Sequence, residues 1–163
     1  MDTQIALIFI TYLEVNMKYR IISQISETVY YEILKIAFDE SDYFSVCTFK
    51  YYHKKDLTNS YFDFFNEINM YQKDEYEFCL PKHYTKGQKF HVFELNKKTK
   101  EMLRNVNSFR GWIVPNSPED LSFYNDKKVW LSSISHENLV FVETENSELI
   151  RSFMNLGLQL VEQ

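Results

Sequence analysis

The 163-residue chain is poor in residues that interrupt regular structure or cross-link small folds, with three glycines, three prolines and two cysteines. No G-x-G-x-x-G or Walker sequence occurs, which argues against a glycine-rich phosphate-binding loop. Cys47 and Cys79 lie far apart among apolar and aromatic neighbours. This setting predicts buried, reduced thiols rather than a disulfide framework, with a single bridge between them as the alternative.

A long apolar segment is also missing, since residues 5–10 form a run far too short to span a bilayer. Asp2 stands where a signal peptide carries a basic residue, and no small-residue cleavage site follows before Glu14. We therefore expect a cytoplasmic protein with no membrane attachment. Residues 1–16 are expected to be either the first packed element or an N-terminal extension ahead of an alternative start at Met17.

The chain has no surplus of positive charge, because its formal net charge is −5. Proteins that bind nucleic acid normally carry a basic face, so nucleic acid is not expected as a partner. Aromatic residues, in contrast, make up 17% of the chain, and Tyr and Trp are enriched in protein interfaces. We expect contacts with another protein, including a second copy in a homodimer, through Trp112, Tyr124 and Trp130.

Strand-like and helix-like segments alternate irregularly, which predicts a single α+β domain over residues 17–163. The sheet is expected to be antiparallel or mixed and to be accompanied by about four helices. Strands are predicted within residues 18–26, 43–53, 89–96, 127–135, 138–144 and 158–163. The helices should begin at polar capping residues, which are Ser26, Asn59 or Ser60, Asn96, and Asn146 or Ser147. Residues 74–87 and 108–120 are predicted loops, the first with a short strand before Pro81.

The stretch WLSSISHEN, residues 130–138, combines three serines with a histidine and a glutamate. Strand alternation predicts Trp130 and Ser132 on one face and Ser133 on the other, with His136 and Glu137 at the exposed tip of a hairpin. No G-x-S-x-G sequence supports a serine nucleophile. The favoured interpretation is a polar hairpin tip, and the alternative is a functional pair formed by His136 and Glu137.

Glu119 and Asp120 follow Pro118 directly. They are typical of a turn or helix start, where negative charge lies near exposed backbone N–H groups. The alternative is an acid and base pair, which requires the fold to place the two carboxylates in different environments.

No C-x-x-C or H-E-x-x-H sequence occurs, so neither a metal site nor a cofactor is predicted. The alternative is a zinc site formed by scattered donors, which are Cys47, His53, Cys79, His83 and His91.

Residues 108–137 resemble a group of small proteins from Bacillus-type bacteria, often labelled stage III sporulation protein AH. The shared pattern is P-E-D-L, an aromatic residue and W-L-x-S-I-x-H-E, and the match covers about the last third of the chain. The matching residues are Pro118, Glu119, Asp120, Leu121, Trp130, Leu131, Ser133, Ile134, His136 and Glu137. The resemblance implies no reaction, but it implies that the polar and aromatic members mark either a fixed element of the fold or a site.

The sequence therefore favours a protein-interaction or regulatory module, such as an immunity-like or inhibitor-like protein. The alternative is a small hydrolase or transferase that uses His136 as its base, with Glu137, Glu119 or Asp120 orienting the ring. A pocket that joins His136 to residues 118–121 favours the enzyme. A convex, exposed hairpin tip favours the interaction module.

Overall fold

The computed structural model describes residues 17–82 and 85–163, in which eight strands form one antiparallel sheet. The predicted extension at residues 1–16 and the zinc candidate His83 lie outside these described residues. The strands are β1 (Lys18–Ile21), β2 (Tyr43–Phe49), β3 (Gln72–Lys73), β4 (Gln88–Glu94), β5 (Glu119–Asn125), β6 (Lys128–Ile134), β7 (Leu139–Glu143) and β8 (Leu160–Glu162). Their order in the sheet is β3-β4-β2-β5-β6-β7-β1-β8.

Four α-helices accompany the sheet in the described part of the chain: α1 (Glu27–Glu40), α2 (Asn59–Ile68), α3 (Lys97–Leu103) and α4 (Ser147–Asn155). The predicted single α+β domain is confirmed. Three of the predicted caps are also confirmed, because Ser26, Asn96 and Asn146 each accept a hydrogen bond from a backbone N–H in the first turn. Helix α2 differs, since its N-cap is Thr58, whose hydroxyl donates to the carbonyl of Pro115 instead. Among the described residues, no helix is both long and apolar enough to cross a bilayer.

The helices pack on one face of the sheet, which we call the helix face, and bury the largest apolar cluster there. Trp112 has no exposed surface, and its indole N–H donates to the hydroxyl of Tyr30 at 2.9 Å. Trp130 is also buried and donates to the hydroxyl of Ser41. Tyr124 lies buried on the opposite face, where its hydroxyl shares a 2.8 Å hydrogen bond with Ser45.

The prediction that Trp112, Tyr124 and Trp130 contact a partner therefore has to be corrected. Burial removes these large rings from water, and each polar atom already has a hydrogen-bond partner inside the fold.

The predicted alternation of side chains between the two faces of β6 also has to be corrected. The pairing of β5 with β6 shifts register at Phe123 and Tyr124, and both Trp130 and Leu131 join the cluster on the helix face.

Two predicted loops contain more structure than expected. The first holds one turn of 3₁₀ helix, Glu75–Glu77, followed by a parallel bridge between Cys79 and Lys128. The second ends early, because Glu119 and Asp120 already belong to β5 and are buried rather than lying in an exposed turn. Both cysteines are free thiols, as favoured, but only Cys47 is buried, so the predicted burial of Cys79 is wrong.

Candidate functional site

The hairpin formed by β6 and β7 is confirmed, and one turn of 3₁₀ helix, Ser135–Glu137, connects its strands. This turn does not project freely into solvent. The backbone N–H of Ser135 donates to Asp120 Oδ1 at 2.8 Å, and the backbone N–H of Asp120 donates to Ser135 Oγ at 3.2 Å. These reciprocal hydrogen bonds hold the hairpin connection against the start of β5. The predicted exposure of His136 and Glu137 at the tip of the hairpin is confirmed, and the structure adds that this tip is hydrogen-bonded to β5.

Asp120 adopts an unusual backbone conformation at this point, with φ of 58°. This left-handed region is costly for most side chains, but Asp and Asn adopt it more readily than most residues. The side chain of Asp120 is almost fully buried, and Gln88 Nε2 donates to its Oδ2 at 3.0 Å. The same amide nitrogen lies 3.1 Å from Cys47 Sγ, and Gln88 Oε1 accepts from the backbone N–H of Thr85. Gln88 thus fixes Asp120 to the central strands.

Glu119 lies beside Asp120, and only 2% of its side chain is exposed. The hydroxyl of Tyr52 donates to Glu119 Oε1 at 2.6 Å. Glu119 Oε2 faces His136, whose Nδ1 is 3.7 Å away, a distance too long for a direct hydrogen bond. The other ring nitrogen of His136, Nε2, is 3.6 Å from Glu137 Oε1. The imidazole therefore stands between a buried carboxylate and an exposed one.

His136 is accessible from outside, because 51% of its side chain is exposed. It borders a pocket of about 210 Å³ that Asp120 and Glu137 also line, together with Phe49, Thr85, Gln88 and Ile134. The pocket thus joins His136 to the start of β5, which is the arrangement that favours the enzyme alternative. All four candidate residues from the sequence, Glu119, Asp120, His136 and Glu137, lie together at this place.

Burial raises the pKa of two acidic side chains at the site, Asp120 and Cys47. It raises the pKa of Asp120 from 3.8 to about 6, and the neighbouring charge of Glu119 acts in the same direction. The hydrogen bonds from Ser135 and Gln88 favour the ionised form and limit this rise. Burial, together with the charge of Asp120, also raises the pKa of the Cys47 thiol well above its usual value. Cys47 is therefore a protonated, enclosed thiol and not a nucleophile.

Three further side chains lie beside the candidate residues, and the sequence does not predict these contacts. Tyr52, Gln88 and Cys47 come from segments that are 32 or more positions away from the carboxylates they approach. A single Tyr, Gln or Cys in a strand-like segment carries no signal for such a contact. The donor atoms of Glu119, Asp120 and His136 lie within 4.8 Å of one another, the spacing of a cation-binding group. The absence of a metal site therefore stays an untested prediction.

Comparison with known proteins finds no matching family model, no matching curated protein and no matching solved structure. The resemblance of residues 108–137 to the proteins labelled stage III sporulation protein AH accordingly stays a prediction.

Proposed function

We propose that the cluster of Glu119, Asp120 and His136 is the active site of a small hydrolase. One observation carries the proposal: a half-exposed imidazole is backed by a buried carboxylate at the wall of a pocket. A histidine in such a position is a common acid or base in enzymes, and a carboxylate behind it can orient the ring. The raised pKa of Asp120, which lines the pocket, also supports a catalytic role.

Water is the nucleophile in this proposal. The hydroxyl of Ser135 is buried and accepts a hydrogen bond from the backbone of Asp120. The thiol of Cys47 is buried as well. Neither group presents a free nucleophilic atom to the pocket, whereas a water molecule can approach the exposed side of His136. The cluster takes a proton from this water as its oxygen attacks the carbonyl carbon of the substrate, and the proton passes to the leaving alcohol or amine as the ester or amide bond breaks.

The size and charge of the pocket indicate the kind of group that reacts. A volume of about 210 Å³ is below the range of roughly 300–1,000 Å³ that is usual for drug-sized ligands. The pocket therefore fits a small substrate or the end of a longer one. Because carboxylates line it, a neutral ester or amide is preferred over an anionic group.

The direct test is hydrolysis by the purified chain of a panel of neutral nitrophenyl esters and aminoacyl nitroanilides. We expect His136→Ala to lower kcat/KM by about 100-fold or more, the usual contribution of a positioned acid or base. His53→Ala is the matched control, because His53 precedes a short helical turn and makes no side-chain capping bond there. Turnover that is equal in the wild type and His136→Ala contradicts the proposal.

Protein recognition is the second candidate function, in line with an immunity-like or inhibitor-like role. The favouring observation is that Tyr51 and Tyr76 are 59% and 91% exposed, and exposed tyrosines suit protein interfaces. A stoichiometric partner captured from the host should then be lost with Tyr51→Ser and Tyr76→Ser and retained with His136→Ala. Loss of the partner with His136→Ala alone contradicts this candidate.

A further inference from the structure

We propose that Glu119, Asp120 and His136 bind a divalent cation. This inference rests on the proposed hydrolase: with a cation bound, the cation activates the water, and His136 serves as its ligand instead of as the base. The three side chains come from two places in the chain, the start of β5 and the connection between β6 and β7. The reciprocal hydrogen bonds between Asp120 and Ser135 hold these two places together.

The spacing of the donor atoms suits a shared cation. Bonds from carboxylate oxygen or imidazole nitrogen to a divalent transition metal are about 2.0–2.2 Å long, so two ligand atoms lie about 3–4 Å apart. Glu119 Oε2 and His136 Nδ1 are separated by 3.7 Å, and the whole set of donor atoms lies within 4.8 Å.

Glu119 supplies an independent indication of a ligand. Its side chain is 98% enclosed, and among the described residues no N–H or O–H group donates to Oε2 within hydrogen-bond distance. Among the described residues, the nitrogen in ion-pair range of Oε2 is His136 Nδ1, at 3.7 Å. Buried carboxylate oxygens are normally satisfied, and one that faces an imidazole without receiving a hydrogen bond is open to a cation.

Neighbouring side chains orient the two carboxylates but leave some of their oxygen lone pairs free for a cation. Tyr52 holds Glu119 through the other carboxylate oxygen, Oε1, while Ser135 and Gln88 each donate one hydrogen bond to Asp120. A carboxylate has about four acceptor positions, so Asp120 keeps lone pairs for a cation. Glu137 contacts the second nitrogen of His136, which is the position of the carboxylates that commonly orient metal-bound histidines.

Charge balance points in the same direction. Two adjacent carboxylates are buried at this site, and no Lys or Arg among the described residues forms an ion pair with either of them. Within residues 17–82 and 85–163, His136 is the one side chain in ion-pair range of Glu119, and it carries a charge only when protonated. A divalent cation offsets the two negative charges directly.

The donor set indicates the kind of cation. Two carboxylate oxygens suit Mg²⁺, Ca²⁺ and Mn²⁺, whereas an imidazole nitrogen suits Zn²⁺, Fe²⁺ and other transition metals. Mn²⁺ satisfies both preferences and is the probe of choice. Three protein ligands leave coordination positions open for water, which is the arrangement of catalytic rather than structural sites.

The experiment measures Mn²⁺ binding directly, by electron paramagnetic resonance and calorimetry on chain freed of metals with EDTA. We expect one Mn²⁺ per chain. His136→Ala and Asp120→Asn should each weaken binding at least tenfold, since even outer residues of metal sites commonly change affinity by 10- to 100-fold. The matched controls His53→Ala and Glu101→Gln remove a histidine and an exposed carboxylate elsewhere and should leave binding unchanged.

The outcomes separate this inference from the proposed hydrolase. Absence of saturable binding, or binding unaffected by His136→Ala, overturns the cation site. Hydrolysis that persists in EDTA overturns the role of the cation in activating water while the hydrolase stands. One equivalent of Mn²⁺ that depends on His136, without hydrolysis of any substrate, supports the site and contradicts the hydrolase. Because His136 is half-exposed, its alanine variant should fold, and circular dichroism checks this for both variants.

Discussion

The helix face of the sheet and the face opposite it bury very different side chains. On the helix face, residues from all four helices and from the central strands join one large apolar cluster. The opposite face holds two small clusters, one of Cys47, Phe49 and Phe90 and one of Phe78, Val92 and Tyr124. Buried polar residues lie between and beside these clusters: Ser45, Gln88, Asp120, Ser122 and Ser132.

This difference explains where the candidate site lies. Apolar burial stabilises a fold at about 25 cal/mol per Å², whereas a buried polar group costs free energy unless hydrogen bonds satisfy it. On the opposite face Gln88 bonds Cys47 and Asp120, and Ser135 bonds Asp120 twice. Stability therefore comes chiefly from the helix face. The opposite face can hold buried carboxylates, because hydrogen bonds stabilise them there.

Trp112→Ala should have the largest effect on stability, because it removes a fully buried ring from the helix face. Large-to-small substitution of Trp in a core costs about 3–5 kcal/mol, and here Tyr30 also loses its hydrogen-bond partner. Urea unfolding measures the change. Tyr76→Ala, at a side chain that is 91% exposed, is the control and should change stability by no more than about 0.5 kcal/mol. Similar losses for both variants contradict the assignment of stability to the helix face.

Sequence patterns predict most of the secondary structure because the relevant signals are local. Capping at Ser26, Asn96 and Asn146 needs only neighbouring residues, and the hairpin of β6 and β7 is visible as two β-prone runs. The pairing partners of those strands are not local. Strand β5, Glu119–Asn125, is not among the predicted strands, because its first two residues are charged and follow a proline, which resembles a turn. Only tertiary contacts make them buried strand residues.

The candidate site was predicted in its members but not in its arrangement. Glu119, Asp120, His136 and Glu137 were all singled out, and they do lie together. The contact between β5 and the hairpin connection depends on Asp120 adopting a positive φ and bonding Ser135, which alternation cannot reveal. The aromatic content led to a wrong prediction of partner contacts. A large ring is favourable in an interface and in a core, so its presence does not distinguish the two.

The two faces should respond to acid in opposite directions, and His91 provides the response of the helix face. Burial, followed by the charge of Lys89, lowers the pKa of His91 from 6.5 to about 4. The unfolded chain then binds the proton more readily, so the free energy of unfolding decreases as pH falls from about 6.5 to 4. The full loss is about 2–3 kcal/mol.

His91→Gln tests this response, because an amide stays neutral and can still bond the hydroxyl of Thr48, which lies 2.8 Å from His91 Nε2. The difference in unfolding free energy between wild type and His91→Gln should change across this pH range, as urea titrations at several pH values can measure. The same change with His53→Gln would show that His91 is not its source.

Asp120 on the opposite face should give a response with the reverse sign. Its pKa is about 6 in the folded chain against a usual 3.8, so the folded state holds the proton more tightly. The contribution of Asp120 is most favourable at low pH and is lost as pH rises from about 4 to 6, by up to about 3 kcal/mol. Measurements in EDTA keep divalent cations from offsetting this loss.

Asp120→Asn removes the titrating charge, keeps an oxygen for the N–H of Ser135 and tolerates a φ of 58°. It loses the acceptor for Gln88 Nε2, which offsets part of the gain. We therefore expect the variant to be about 1–2 kcal/mol more stable than wild type at pH 7 and no more stable at pH 4. A variant whose advantage does not vary with pH would mean that Asp120 is ionised in both states. The opposite face would then carry no buried-charge cost, and the contrast between the two faces would reduce to packing alone.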